Sequence, residues 1–245
     1  MSESVEQEDA ALEIEAPADP LAGHPASAYF WGHVAGSGEV SDSNIEVTTN
    51  DERSARVLAA IAGGDLEHET TSREYAHDAS ITRTEDEYTL SIGDDGKGSG
   101  EDHADGTEGL LGRSGALGLP VDGRGNYRFG AFSGCDRELL RGLLEGCGTI
   151  CFKSSSGTVG ISFVHDDRDL LELTRELIAA CPVEASVDDL SETSSGGYWF
   201  GIDDDDAPAF GAWLYEDCAE TGLYAPSRRR KLERSLEQAE AYDEP

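Results

Sequence analysis

The sequence predicts an α+β fold in which one αββαββα unit occurs twice about a pseudo-two-fold axis, each copy carrying an antiparallel sheet. Two observations carry this. Glycines at 32, 36 and 38 recur at 142, 146 and 148, and Tyr88 and Ile92 recur at the same offset as Tyr198 and Ile202. The stretches around these positions also alternate between helical and strand periodicity in the same order in both halves. Repetition over so long a period means a duplicated domain, not a solenoid of short units.

Taken in order, residues 1–25 read as a solvated acidic tail without a periodic apolar face, ending in Pro/Gly punctuation. The first repeat spans 26–128. It opens with the apolar helix "AYFWGHVAGSG" and the strand "NIEVTT". The capped helix "DERSARVLAAIAGG" and the strand "EYTLSIG" follow. Its segment 93–109 is too rich in Gly and Asp to bury anything and reads as a loop insertion. The second repeat spans 129–235: the helix "RELLRGLLEGCG", the hairpin "TICFKSSSGTVGISFVH", the amphipathic helix "DDRDLLELTRELIAACP", the strand "GGYWFGIDDDD" and one closing helix, "APAFGAWLYEDCAETG". Residues 236–245 are expected to be a tail.

Charge is the unusual part of the composition. Against 51 acidic residues stand 18 basic ones, a formal net charge of −33, and only Lys97, Lys153 and Lys231 are lysines. Acid-rich, lysine-poor chains resemble haloarchaeal proteins generally. At about 1 M salt the Debye length is about 3 Å, so self-repulsion costs little there. Molar salt also removes the usual argument from net charge against nucleic acid, and leaves recognition to local contacts. A cytoplasmic protein is expected, because no run reaches membrane-span length and the amino terminus carries no positive-then-apolar signal, and a monomer is expected. The five cysteines include no Cys-x-x-Cys. Cys147, Cys151, His165 and Cys181 could be gathered round a zinc ion, but separate small core cysteines need less coincidence. No metal and no cofactor are expected.

Gly-x-x-x-Gly removes two side chains from one face of a helix, because positions i and i+4 lie one above the other. Gly32 and Gly36 in one copy and Gly142 and Gly146 in the other therefore predict two helices meeting backbone to backbone across the pseudo-two-fold. The third glycine ends each helix. The residues just before it, Ser37 and Cys147, are carried to the foot of the seam.

This duplicated arrangement resembles the LAGLIDADG homing endonuclease family. "LRGLLEGCG" at 140–148 is a good match to that family's motif and "FWGHVAGSG" at 30–38 a weaker one, and the likeness covers about residues 26–235. "GLYAPSRRRKL" is similar to the basic segment that follows the family's last helix. The resemblance implies a saddle of four-stranded sheets over duplex DNA. It also implies an Asp or Glu at the motif's penultimate position, one from each copy, holding divalent metal for phosphodiester cleavage. Here those positions are Ser37 and Cys147, a neutral hydroxyl and a soft thiol. Glu145 lies about 200° round the helix from the foot by this geometry, and Glu39 has no counterpart in the other copy. The expectation is a catalytically inactive relative.

Function stays open between two classes. The first is binding of nucleic acid in a regulatory role, with Arg73, Arg83, Lys153 and Ser155 on the sheets, Thr158, Tyr88 and Tyr198 nearby, and Arg228, Arg229, Arg230 and Lys231 as the densest basic patch. Against it, Tyr88 and Tyr198 could be half-buried sheet residues, and the arginine run a surface helix with Arg/Glu pairs. The second is an accessory module held by a protein partner. An enzyme of another kind would need a nucleophile and a base, and Cys147 with His33 is the pair the repeat suggests.

Overall fold

The computed structural model describes residues 14–19, 21–41, 43–75, 78–93, 114, 116–120 and 125–243. Most of the tail and of the 93–109 loop lie outside them. Two four-stranded antiparallel sheets are present, and both have the same strand order. The first runs β1 (Gly38–Val40), β2 (Asn44–Thr49), β4 (Asp78–Gly93), β3 (Asp65–Tyr75). The second runs β5 (Gly148–Lys153), β6 (Thr158–His165), β8 (Tyr198–Gly201), β7 (Ser191–Glu192). Helix α1 (Pro25–Ser37) feeds the first sheet and α3 (Asp136–Cys147) the second, with α2 (Glu52–Ala62) and α4 (Arg168–Ala179) crossing between strand pairs. The α+β duplication expected from the repeat is the architecture found.

The helices begin where local chemistry starts them. Pro25 stands at the first position of α1 with the His24 ring accepting from the Ala26 N–H at 3.2 Å. Asp51 caps α2 through the Ser54 N–H at 3.1 Å. Asp167 caps α4 and also accepts from the Gly125 N–H and the Tyr127 hydroxyl, at 2.8 and 2.9 Å. α1 is buried on every side from Ala26 to Gly36. A helix apolar all round belongs in the middle of a core, and both repeats pack round this one. Tyr29, Phe30 and Trp31 from α1 join Leu139, Leu140, Leu143 and Leu144 from α3 in a single core that runs through both sheets.

Three features differ from the sequence reading. The closing helix is broken into α5 (Ala207–Leu214) and the short α6 (Cys218–Thr221), because Asp217 takes the left-handed conformation (φ 52°) between them. Residues 236–243 continue the helix α7 (Pro226–Asp243), which lies along β5. Its far end is pinned where the Tyr242 ring meets Phe152, with centroids 6.3 Å apart. Third, β3 is a long acidic strand with no period-two burial to reveal it, since residues 65–71 are all exposed, Leu66 included.

Gly38 and Gly148 end α1 and α3 in extended conformation, φ −88° and −100°, not in the left-handed region. Their role is steric. A methyl group on either would stand 2.6 Å from the carbonyl oxygen four residues back, Val34 or Leu144.

Candidate functional site: the foot of the helix seam

α1 and α3 cross backbone to backbone. A Cβ on Gly32 would run into the Leu139 carbonyl oxygen, and one on Gly142 into that of Tyr29, with the His33 nitrogen 2.8 Å away. Lower down, Gly36 and Gly146 face each other: a methyl group on one lies 3.1–3.2 Å from the other's backbone. Each obstruction is main chain of the opposite helix, which cannot rotate aside.

At the foot of this seam Ser37 and Cys147 are both half-buried. Ser37 gives its hydroxyl to the His33 carbonyl at 3.2 Å and also meets His33 Nδ1 at 3.1 Å. The Cys147 thiol donates to the Leu143 carbonyl at 3.3 Å. Burial pushes that thiol up to about 12, against a smaller opposing pull from Arg228. Burial, with a smaller contribution from Arg228, likewise brings His33 down to about 4. A guanidinium charge in the first turn of α7 is therefore felt at the point where the family resemblance would put a divalent metal. A hydroxyl and a protonated thiol tied to their own helices do not fit such an ion. Among the described residues no group of three or more His, Cys, Asp or Glu could hold one. His33 and Cys147 share no hydrogen bond, since the imidazole's partners are Ser37 and, at 3.4 Å, Ser54.

The carboxylate nearest in sequence, Glu145, turns away from the foot into a buried cluster. It accepts from the Tyr29 hydroxyl at 2.6 Å and from the Ala225 N–H at 2.9 Å. Burial raises it to about 7, while these donors and Arg141 hold it down. Arg141, buried itself, gives Nε to the Leu214 carbonyl at 2.8 Å and Nη1 to that of Leu223 at 2.9 Å. Asp51 accepts from the Ser227 N–H at 2.7 Å. The start of α7 is thus capped by two carboxylates, Asp51 from the first repeat and Glu145 from the second. Sequence reasoning missed this cluster. The available signal was an Arg141/Glu145 pair inside an otherwise leucine-rich helix.

The basic residues are spread over several places. Arg73 and Arg83 pair in backbone register near the end of the β3–β4 hairpin; their side chains lie outside the described residues. Lys153 is bound to Asp204 at 2.5 Å, and Thr158 donates to the same carboxylate at 2.7 Å. Ser155 lies exposed in the turn after Lys153. Arg229 pairs with Glu233 at 2.9 Å and lies over Tyr224, while Arg230 and Lys231 are exposed. Lys153 and Ser155 sit near the Tyr242 end of α7 and the arginine run at its start, about 20 Å apart at 1.5 Å per residue. Tyr88 and Tyr198 are half-buried.

The outward face of the first sheet is acidic. Glu39 is directly opposite Glu46, and Glu69 directly opposite Glu87; Asp65 and Glu67 stand on the same face. Opposed like charges destabilise a sheet unless salt or a partner offsets them.

Among curated proteins none matches this chain. Solved structures similar to it include full-length DUF199/WhiA from Thermatoga maritima, 12% identical with a TM-score of 0.47, covering 92% of this chain and 65% of that one. The homing endonuclease I-WcaI bound to its DNA recognition sequence is 10% identical, TM-score 0.48, covering 86% and 87%. I-DmoI in complex with DNA and Mn is 12% identical, TM-score 0.41, covering 78% and 97%. This chain spans about two thirds of the WhiA protein's length. Residues 6–242 match the LAGLIDADG family described as "Putative archaeal homing endonuclease", and the chain belongs to that family.

Proposed function

We propose that this protein is a catalytically inactive LAGLIDADG protein that binds without cutting, a regulatory scaffold whose ligand is nucleic acid. The observation that carries the reading is the chemistry at the foot of the seam. Ser37 and Cys147 give their protons to carbonyls of their own helices. Without two carboxylates there is nothing to concentrate metal or activate water. The contact surface for phosphate is the start of α7, where Arg230 and Lys231 project into solvent.

Fluorescence anisotropy with a mixed-sequence duplex of about 30 base pairs, in stepped KCl, tests the reading. The expected result is binding that weakens with salt, about tenfold weaker in R230E/K231E, with the duplex intact in Mg²⁺. These two residues are exposed, so the variant keeps its fold. A second reading, an accessory module held by a basic protein partner, is favoured by the acidic face of the first sheet. Absence of duplex binding by the wild type at every salt concentration would leave that reading in place of the first.

A further inference from the structure

Charge pairing divides the cations of this chain. Among the described side chains most have a carboxylate within 4.0 Å, as Arg56 has Glu52, Lys153 has Asp204 and Arg175 has Glu172. Those without one are Arg53, Arg128, Arg228, Arg230, Lys231 and Arg234. With 51 acidic residues against 18 basic, a group of unpaired cations marks a place from which acids are kept away. Arg128 lies in the loop ahead of α3, and the others come together round the start of α7. Arg230 and Arg234 stand one turn apart on the same face of α7 with Lys231 beside them, all exposed. Arg53 comes from the first repeat. It is exposed in the first turn of α2 and lies over the ring of Tyr224, just ahead of α7, 5.5 Å from the centroid. The Asp51 carboxylate ties the two helices together, accepting from the Ser54 and Ser227 N–H groups at 3.1 and 2.7 Å. Flanking acids are already neutralised, Glu52 by Arg56 and Glu233 by Arg229. Stacking orients Arg53 without neutralising it, so its planar fork stays free for a second partner.

We propose that Arg53 completes a phosphate track with Arg230, Lys231 and Arg234, along which the backbone of a nucleic-acid duplex crosses from one repeat to the other. The inference rests on the nucleic-acid reading above and deepens it, because it places the duplex on the helix-covered side of the sheets and not on the saddle. α7 packs on the covered face of the second sheet, where a Cβ on Gly211 of α5 would meet both Leu232 of α7 and the buried Ile161 of β6. The saddle face repels phosphate across the first sheet, with Glu39 opposite Glu46 and Glu69 opposite Glu87. On the second sheet its described cation, Lys153, is held by Asp204. A duplex also brings a condensed counterion layer, whose release favours binding to such a track in a way that an acidic protein surface does not supply.

The test measures the slope of log Kd against log [KCl] for the full chain and a duplex of about 30 base pairs, by fluorescence anisotropy. R53Q and R234Q should each weaken binding several-fold and lower the slope by about 1, the loss of one phosphate contact, and the double variant by about 2. R168Q, which removes an exposed arginine of α4, should leave the slope unchanged. A wild type that binds the duplex while R53Q keeps the full slope would overturn the track and leave the nucleic-acid reading standing. A slope lowered by K153Q but not by R53Q would put the duplex on the saddle and overturn it likewise. Displacement of the duplex by polyglutamate at equal charge would assign the patch to an acidic protein instead. Absence of binding by the wild type at every salt concentration would end both the track and the reading on which it rests.

Discussion

Gly142→Leu is expected to leave the chain without its native fold. The first atom beyond Cα at this position meets the Tyr29 carbonyl oxygen and lies 2.8 Å from the His33 nitrogen. Overpacking a core by side-chain atoms costs about 1–3 kcal/mol because neighbours shift. Here the neighbours are main chain of a helix buried on all sides, so the cost lies above that range, and even Gly142→Ala should lose about 3 kcal/mol. Denaturant unfolding in molar KCl measures it, with Gly130→Ala as the control, since a Cβ there meets nothing within 4 Å. A Gly142→Leu protein that unfolds cooperatively at the wild-type midpoint would show that the helices do not need their bare faces.

The second large effect concerns Glu145, through pH. An acid whose folded value lies above its unfolded one holds its proton preferentially in the folded state. Glu145, raised from 4.5 to about 7 chiefly by burial, thus contributes stability that is complete below pH 4.5 and lost as pH rises through 7. His33, lowered from 6.5 to about 4 by burial, contributes the reverse: full above pH 6.5 and lost as pH falls through 4. Between those limits the two slopes oppose and mask each other in the wild type. E145Q keeps an oxygen to accept from Tyr29 and Ala225 but carries no charge. Its stability relative to wild type should be near zero at pH 4.5 and rise to about 3 kcal/mol in its favour at pH 8. Paired unfolding curves across this range cancel every other titrating group. A difference that does not change with pH would mean that Glu145 is solvated.

How far the sequence could be read follows from which contacts it spells out locally. The duplicated frame and the glycine seam were legible because Gly32, Gly36, Gly142 and Gly146 are unusual residues in apolar helices, and their spacing matches in both halves. Glu145 was legible only in part. Helical geometry turned it away from the foot, but the group receiving it, the Ala225 N–H, lies 80 residues on, just before a helix that reads locally as a surface tail. A longer separation, 176 residues, hid the Asp51 carboxylate that accepts from the Ser227 N–H. β3 is not legible because strand patterns are recognised by one buried face, and here residues 65–71 are all exposed, Leu66 included at 37%. The break at Asp217 is a tertiary override: nothing in "LYEDCAE" forbids a continuous helix.

The claim on which the account turns is that the foot of the seam holds no metal ion. Mn²⁺ titration followed by electron paramagnetic resonance, in molar KCl so that dispersed surface carboxylates compete weakly, tests it on the intact chain. The account predicts no saturable site in the wild type, and none gained or lost in S37A or C147S. A stoichiometric Mn²⁺ site that disappears on either substitution would contradict it.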